Sequence, residues 1–497
     1  MSKIFKRFAA VLLVLTMVLP LAACKKEDTI TAQQVQNTQA VTVGSHTLSA
    51  VMLNYFYMDA VTDWYGIYGT SMGLDLSKPL DQQIINETTG KTWADTFLEM
   101  AVDNIQSTYA LYDLAMAENF TLSKEEQKEL DMVVTDLEEL IAYYTKLYSS
   151  NGQTYPYTNA TNYLESVYGL GSNPENYKEY NRVCTIANAY YEAYGKSLSY
   201  TGLQLREYEK DKMVHYNSYS FSVYYLSIAD FDSAEDAKAV ADQLAAGSYT
   251  DKAAFDEAIK ALPMNADVKK PDVSDGYQDV LYSQITKDYV QWLTDEARKS
   301  GDMTVIARTS SDKANTYGYY VVRFESVNDN KFLTPSIRHV FIAFQDGVFN
   351  TNTGETTYTD KAKAEAKLKA ETLLMEYRAG TMNEMRFADI ATNHSDELDA
   401  PEGGLYEALL PGMLADAVES WSCDPVRKPG DTTLVESEKG WHLIYFVKPS
   451  MTTYRDQLLT EDLRAADVEA WYKALVEATK AELLDATYVN RSLVLLK

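Results

Sequence analysis

Cysteine and histidine are scarce in this chain of 497 residues, which has three cysteines and five histidines. So few cysteines exclude a scaffold held by disulfides, although an oxidising environment could pair Cys184 with Cys423, and the sequence leaves that open. Neither a His-Glu-x-x-His nor a Cys-x-x-Cys pattern occurs. We therefore expect no metal site and no cofactor.

Basic residues are also in short supply. The chain has 45 lysines and arginines against 72 acidic residues, and its formal net charge is −27. A nucleic-acid-binding protein needs a basic surface to neutralise phosphates, so nucleic acid is not an expected partner. The acidic surface favours solubility and repels an anionic membrane.

The chain lacks an apolar run long enough to span a bilayer as a helix, which takes about 20 residues. The longest run covers residues 8–21, and its flanks are typical of a signal peptide. Basic residues precede it: Lys3, Lys6 and Arg7. The quartet Leu21-Ala22-Ala23-Cys24 follows it and resembles the bacterial lipobox, in which cleavage leaves the cysteine as a lipidated N-terminus.

These features predict a signal peptide over 1–23 and a lipid anchor on Cys24. The Thr/Gln/Asn-rich composition predicts a flexible tether over 24–40. Acyl chains contribute about 0.8 kcal/mol for each buried methylene, so lipid on Cys24 would hold the chain to a membrane. The predicted location is therefore the extracytoplasmic face of a bacterial cell membrane.

Helical patterns dominate residues 41–212. Thr92 with Asp95, and Ser123 with Glu126, have the spacing of reciprocal helix N-caps. Apolar residues recur every fourth position over 93–109 and form one face. We predict a helical domain over 41–212. A further helix within 451–497 carries an apolar stripe, and we expect it to pack back on this domain.

The middle and C-terminal parts of the chain repeat each other. The pattern W-x5-R-K-x-G-D-x-T begins at Trp292 and again at Trp421. Upstream of each copy, an Ala-rich helix ends at a glycine, and predicted strands bracket both copies. The chain is therefore predicted to be of the α+β class, with two α+β units over 213–329 and 334–450, each with a short antiparallel sheet.

The second repeat resembles the parvulin-type peptidyl-prolyl isomerases over about residues 334–450. The matching segments are Ile337-Arg338-His339-Val340-Phe341-Ile342, Phe387-Ala388-Asp389-Ile390-Ala391, His394-Ser395-Asp396, Gly403-Gly404-Leu405, Gly412-Met413 and Gly440-Trp441-His442-Leu443-Ile444. The whole layout is similar to extracytoplasmic foldases of the PrsA and SurA type. These have a helical chaperone region, parvulin units and a C-terminal helix that returns to the N-terminal region.

This resemblance implies a reaction without a covalent step. Rotation about a peptide bond faces a barrier of about 18–20 kcal/mol, and X-Pro bonds isomerise over tens to hundreds of seconds. A site accelerates the rotation when it favours the twisted imide over both planar forms. In the family two histidines form the floor of the site, and the motifs assign that role to His339 and His442. Met413 and Leu405 match the residues that contact the proline ring.

The second repeat also departs from the family pattern. Glu397 stands where the family usually has Cys or Asp, and we expect it in the catalytic set. Ala417 stands where the family has a phenylalanine in the wall of the apolar slot that holds the proline ring. We therefore expect this wall to be thinner, with the neighbouring Val418 as the substitute for the missing ring. Lys439 replaces a small or aromatic residue before the last Gly-x-His.

The first repeat has lost the matching histidines. Val223 and Tyr224 occupy the region of His339, and Tyr320 stands in the place of His442. We therefore predict that the unit over 213–329 is a degenerate parvulin-like domain without isomerase activity. It would serve as a spacer or as a platform that binds client chains.

The leading hypothesis is a membrane-anchored foldase that binds unfolded or partly folded secreted polypeptides and isomerises their X-Pro bonds. The alternative is a holdase chaperone in which both parvulin-like units are catalytically inactive, which Ala417 and Lys439 favour. A solute-binding or adhesion lipoprotein is a third class, and the repeat pattern argues against it.

Overall fold

The computed structural model describes residues 30–69, 71–262, 273–312, 314–349, 356–397 and 401–495. The predicted signal peptide and Cys24 lie outside the described residues. The chain forms two compact units. The first contains Met1–Ser199 and Arg464–Lys497, and the second contains Tyr200–Leu463.

The N-terminal part of the first unit is mainly helical. Its helices are α1 (Ala32–Asn37), α2 (Ala50–Tyr68), α3 (Trp93–Ala117), α4 (Lys124–Ser150), α5 (Ala160–Tyr168) and α6 (Pro174–Ser197). Its strands are β1 (Gln39–Val43), β2 (His46–Ser49), β3 (Ile84–Asn86) and β4 (Lys91–Thr92). This part confirms the helical N-terminal region expected from the sequence.

The helices α3 and α4 begin where their capping residues indicate. The Asp95 amide donates to Thr92 Oγ1, and the Asp95 carboxylate accepts from the Thr92 amide. Ser123 and Glu126 make the same reciprocal pair at the start of α4. Each box gives hydrogen-bond partners to amides that a helix N-terminus otherwise leaves without one.

The flexible tether predicted over 24–40 is too long, because its last residues are part of the folded unit. Thr31 caps α1 through a reciprocal pair with Gln34, and Val35 of this helix is buried. Ala40 is fully buried in β1. The polar composition of the segment concealed this, since the buried Val35 and Ala40 stand among polar residues.

Tyrosine supplies much of the core of the first unit. Buried rings from α2, α5 and α6 contact one another: Tyr55, Tyr168, Tyr177 and Tyr180. The Tyr180 hydroxyl donates to the Asp59 carboxylate, and burial raises the pKa of Asp59 to about 7. Many of the 38 tyrosines are therefore core residues rather than surface contacts.

The second unit holds two α+β domains in succession. Its helices are α7 (Gly202–Glu209), α8 (Ala234–Ala245), α9 (Lys252–Lys260), α10 (Val290–Leu293), α11 (Asp360–Ala379), α12 (Glu384–His394) and α13 (Asp416–Ser422). Its strands are β5 (Ser218–Ser227), β6 (Asp275–Leu281), β7 (Met303–Thr309), β8 (Thr316–Asn328), β9 (Leu333–Ala343), β10 (Val348–Phe349), β11 (Thr356–Thr357), β12 (Leu405–Tyr406), β13 (Thr432–Glu436) and β14 (Gly440–Thr453).

Each domain has one four-stranded antiparallel sheet, and the two sheets have the same layout. The strand orders are β6-β5-β8-β7 and β12-β9-β14-β13. Gly318 pairs with Ser227 in the first sheet, and Gly440 pairs with Ala343 in the second. The shared register confirms that the sequence repeat is a structural repeat.

Both faces of the second sheet are covered by apolar side chains. One face packs against α11 and α12, with Val340 and Leu443 at its centre. The other face carries a separate apolar cluster that includes Ile337 and Ile444. The candidate site lies on this second face, which the two long helices leave open.

The C-terminal segment returns to the first unit, as predicted from its apolar stripe. It consists of helix α14 (Tyr454–Ala478) and strand β15 (Ala481–Leu483). Trp471 of α14 stacks on Tyr194 at 3.7 Å between ring centroids. Strand β15 pairs with β1, where Val41 lies opposite Leu483. The strand was not expected, because three residues carry no detectable periodicity.

Cys184 and Cys423 are free thiols. Among the described residues, none of the helices combines the length and apolar character required to cross a bilayer. Within the same ranges, histidine, cysteine and carboxylate side chains do not gather into a group of three that could hold a metal ion.

Candidate active site

Two histidines meet on adjacent strands of the second sheet. His339 lies on β9 and His442 on β14, and the register places His442 opposite Phe341. Side chains alternate between the faces of a strand, so positions 339 and 341 share one face with His442. The two imidazoles are joined by a contact of 2.8 Å between His339 Nε2 and His442 Nδ1. Residues that are 103 positions apart are thus brought into direct contact.

The imidazole pair continues into a longer chain of polar groups. His339 Nδ1 lies 3.2 Å from Glu397 Oε2, and His442 Nε2 lies 2.8 Å from Ser437 Oγ. The hydroxyl of Tyr406 donates to Glu397 Oε1 at 3.0 Å. The chain therefore runs from a serine through two imidazoles to a carboxylate.

Burial and hydrogen bonding shift the pKa values of His442 and Glu397 in this chain. Desolvation, with the nearby His339, lowers the pKa of His442 to about 4. The hydrogen bond from His339 holds the pKa of Glu397 below its usual value. One directed set of hydrogen bonds, ending at the Glu397 carboxylate, satisfies the groups of this chain. Ser437 then donates to His442, His442 to His339, and His339 to the carboxylate.

The imidazoles form the floor of the site and are hardly open to solvent. His339 is 1% exposed and His442 is 5% exposed. The Glu397 side chain is 26% exposed, and Met413 is 51% exposed. A ligand on this face would thus contact Glu397 and the apolar surroundings more than the rings themselves.

An apolar cluster lies beside the imidazoles on the same face. It consists of Ile337, Leu409, Val418, Ile444 and Phe446. Val418 is fully buried, so its side chain is closed to a ligand. This placement differs from the direct contact with the proline ring that the sequence suggested for Val418.

Leu405 does not lie on the face of the imidazoles. It pairs with Arg338, and the Arg338 guanidinium extends to Glu384 of α12 on the other face of the sheet. Directly paired residues of an antiparallel ladder share a face, so Leu405 points to the helix side. Tyr406 pairs with Ile337 and is the residue of β12 that lies beside His339. Neighbouring residues of a strand lie on opposite faces of the sheet. The assignment of Leu405 to the face of the imidazoles is therefore wrong by one residue.

Comparison with known proteins agrees with this geometry. Residues 339–448 match the family model described as Rotamase, the PPIC-type PPIase domain. This segment is a parvulin-type peptidyl-prolyl isomerase domain.

Solved structures similar to the chain include isomerases and foldases. The PPIase domain of TBPAR42 is 19% identical, with 23% of this chain and 99% of that chain covered and a TM-score of 0.19. PrsA from Bacillus subtilis is 12% identical, with 80% and 91% covered and a TM-score of 0.25. PrsA from Bacillus anthracis is 16% identical, with 30% and 59% covered and a TM-score of 0.18. Among curated proteins no significant match was found.

Met413 is largely exposed in the parvulin domain. Met413 follows Gly412 in an exposed turn, and its sulfur accepts from the Leu410 amide at 3.3 Å. Ala417, the second residue of α13, carries only a methyl group. Met413 is therefore accessible to a ligand.

Among its described residues, the first α+β domain lacks the polar chain of the parvulin domain. The shared register places Val223 at the position of His339 and Tyr320 at that of His442. Tyr320 contacts Tyr225 and Tyr289 through ring edges and faces instead. A valine side chain has no polar atom, so this domain has no counterpart of the imidazole contact.

Ser437 and Tyr406 belong to the site and were missed in the sequence. Ser437 lies in the hairpin turn between β13 and β14, where its spacing of five residues from His442 offers no motif. Tyr406 follows the Gly403-Gly404-Leu405 segment directly. Alternation along β12 from Leu405 could have found it, had the pairing of that strand with β9 been known.

Proposed function

We propose that this chain is a foldase that binds unfolded secreted polypeptides and catalyses cis/trans isomerisation of X-Pro bonds in its parvulin domain. A lipid on Cys24 would hold it at the extracytoplasmic face of a bacterial membrane. The observation that carries the catalytic part is the chain of hydrogen bonds from Ser437 through His442 and His339 to Glu397. It lies on the sheet face that also carries an apolar cluster.

The reaction requires a site that binds the twisted imide better than either planar form. The exposed Met413 and the partly buried apolar residues that pack on the buried cluster would take the proline ring. In the planar bond, resonance places negative charge on the carbonyl oxygen, and the anionic Glu397 disfavours that charge when the oxygen is close. The twisted bond has lost this resonance, so the carboxylate favours it. His339 holds the carboxylate in place through its Nδ1 contact. Rotation about the imide bond itself needs no covalent step.

Binding of unfolded chains is supported by the first unit. A cleft of about 840 Å³ lies between α4 and α5, and Ile141, Ala142 and Ala160 contribute to its lining. Tyr143 and Leu147 on α4 expose much of their apolar surface. Apolar surface that stays open in a folded domain is typical of sites that contact other chains.

A second candidate function is a holdase without isomerase activity. Near-complete burial of His339 and His442 favours it, as does the single methyl group of Ala417 at the thin wall. Under this alternative the chain suppresses aggregation of unfolded proteins while X-Pro bonds isomerise at their uncatalysed rate.

The test is a protease-coupled proline-peptide assay on the full-length chain. We expect the wild type to accelerate isomerisation and the double variant His339→Leu/His442→Leu to lose about 100-fold of that activity, the scale of losing preorganised polar groups. His394→Gln is the matched control, because this histidine lies exposed at the end of α12 in the same domain. Equal rates for the wild type and the double variant refute the catalytic proposal. Aggregation suppression by a wild type without isomerase activity establishes the holdase.

A further inference from the structure

Tyr406 occupies a central place in the site that no motif assigns to it. It lies on the short strand β12, opposite Ile337 of β9. Its ring meets His339 edge to face at 6.1 Å between centroids. It also packs against the apolar cluster of Ile337, Leu409, Val418, Ile444 and Phe446. Tyr406 is thus the one described residue of β12 on the face that carries both the imidazoles and the apolar cluster.

The hydroxyl and the ring of Tyr406 have different neighbours. The hydroxyl donates to Glu397 Oε1 at 3.0 Å, while His339 Nδ1 holds the other carboxylate oxygen at 3.2 Å. The two oxygens of Glu397 are therefore held by two partners from two strands. A quarter of the Glu397 side chain is open to solvent, so with one partner alone the carboxylate could rotate away.

We propose that Tyr406 is a positioning residue of the isomerase site, whose hydroxyl fixes the Glu397 carboxylate and whose ring forms the wall of the proline slot that Leu405 does not provide. This inference rests on the proposed isomerase function. It also explains how the slot keeps a wall on the β12 side although Ala417 leaves the opposite wall thin.

The fixed carboxylate matters because its effect depends on distance and direction. A group that favours the twisted imide must stand at the carbonyl oxygen before the bond rotates, and a mobile carboxylate loses that advantage. The hydroxyl therefore acts on turnover, whereas the ring acts on binding. The two roles can be separated by removing one at a time.

Three variants of the full-length chain test this separation. Tyr406→Phe keeps the ring and removes the hydroxyl, so we expect kcat to fall about tenfold with KM unchanged, the scale of a hydrogen bond to a charged group. Tyr406→Leu removes both, so we expect the same fall in kcat and a rise of about fivefold in KM, the scale of a lost aromatic contact. Tyr445→Phe is the matched control, since this tyrosine lies on the helix side of the same sheet.

A spectroscopic readout separates positioning from a merely structural role. The chain has five histidines, so the ring nitrogens of ¹⁵N-labelled histidine can be assigned by single substitutions. We expect Tyr406→Phe to shift the His339 Nδ1 resonance, because the carboxylate that accepts from it moves. Tyr445→Phe should leave that resonance in place.

The outcomes are distinct. A Tyr406→Phe variant with wild-type kcat and an unshifted His339 resonance overturns the proposal. A wild type that has no isomerase activity refutes the proposed function instead, and the His339 resonance alone then decides whether Tyr406 holds Glu397. A fall in kcat that Tyr445→Phe reproduces also overturns it, because the loss is then general to the domain.

Discussion

Acid should destabilise the parvulin domain through His442. This histidine is 5% exposed, and burial with the nearby His339 lowers its pKa from 6.5 to about 4. The unfolded chain binds a proton at His442 near pH 6.5, whereas the folded domain does so only near pH 4. The stability that depends on the neutral ring is therefore present above pH 6.5 and is lost as the pH falls toward 4.

The size of the effect follows from the two pKa values. A shift of one unit corresponds to about 1.4 kcal/mol, so between pH 7 and pH 4 the domain should lose about 3 kcal/mol from His442 alone. The pKa of Glu397 is also lowered, by its hydrogen bond with His339. Its contribution has the same sign and adds to the loss as the pH falls. A loss of this size is a large fraction of the free energy of unfolding of a typical domain, which is roughly 5–15 kcal/mol.

The assay must report on this domain within the full-length chain. Samples are equilibrated with urea at each pH and then given a short deuterium pulse at a common pH. Mass spectrometry measures the deuterium taken up by peptides from Gly440–Thr453 of β14. His442→Asn removes the titrating ring. The loss of unfolding free energy between pH 7 and pH 4 should therefore be about 3 kcal/mol smaller in this variant than in the wild type. His394→Gln should retain the wild-type slope. Equal pH slopes for the wild type and His442→Asn would refute the assignment of a buried neutral imidazole.

Two further predictions concern a buried ion pair of the second unit and the proposed membrane anchor. Arg455 is 2% exposed, pairs with the buried Glu209 and donates to the Asn217 side chain at 2.7 Å. Arg455→Met should lower the free energy of unfolding of this unit in urea by about 3 kcal/mol, because it leaves the buried Glu209 carboxylate short of a partner. Lys331→Met, at an exposed lysine, is the control and should lower it by less than about 1 kcal/mol. Cys24→Ser should abolish incorporation of labelled fatty acid and move the chain from the membrane fraction to the soluble fraction, and continued labelling would contradict the anchor.

Patterns with local causes were predictable from the sequence. The capping boxes at Thr92 and Ser123 depend on side chains three residues apart, and both helices begin at these residues. The repeat that starts at Trp292 and Trp421 predicted two units of one design, and their sheets share one register. Such features depend on neighbours in sequence or on duplication, and neither requires knowledge of which strands pair.

Other features were beyond local patterns. Residues 31–40 look like a polar spacer, yet Val35 and Ala40 are buried in a core built by distant helices. Strand β15 has three residues, and it forms only because β1 offers a free edge for pairing. The final position of these segments depends on partners that local composition does not reveal.

The sequence alone determined that this chain has a parvulin-like unit with two histidines on strands that begin and end it. Only the tertiary structure decided which side chains join them. The pairing of β12 with β9 places Tyr406, and not Leu405, beside His339, because strand neighbours alternate between two faces. The turn between β13 and β14 brings Ser437 to His442 in the same way. Hydrogen bonds of this kind depend on register, and register is a property of the folded sheet.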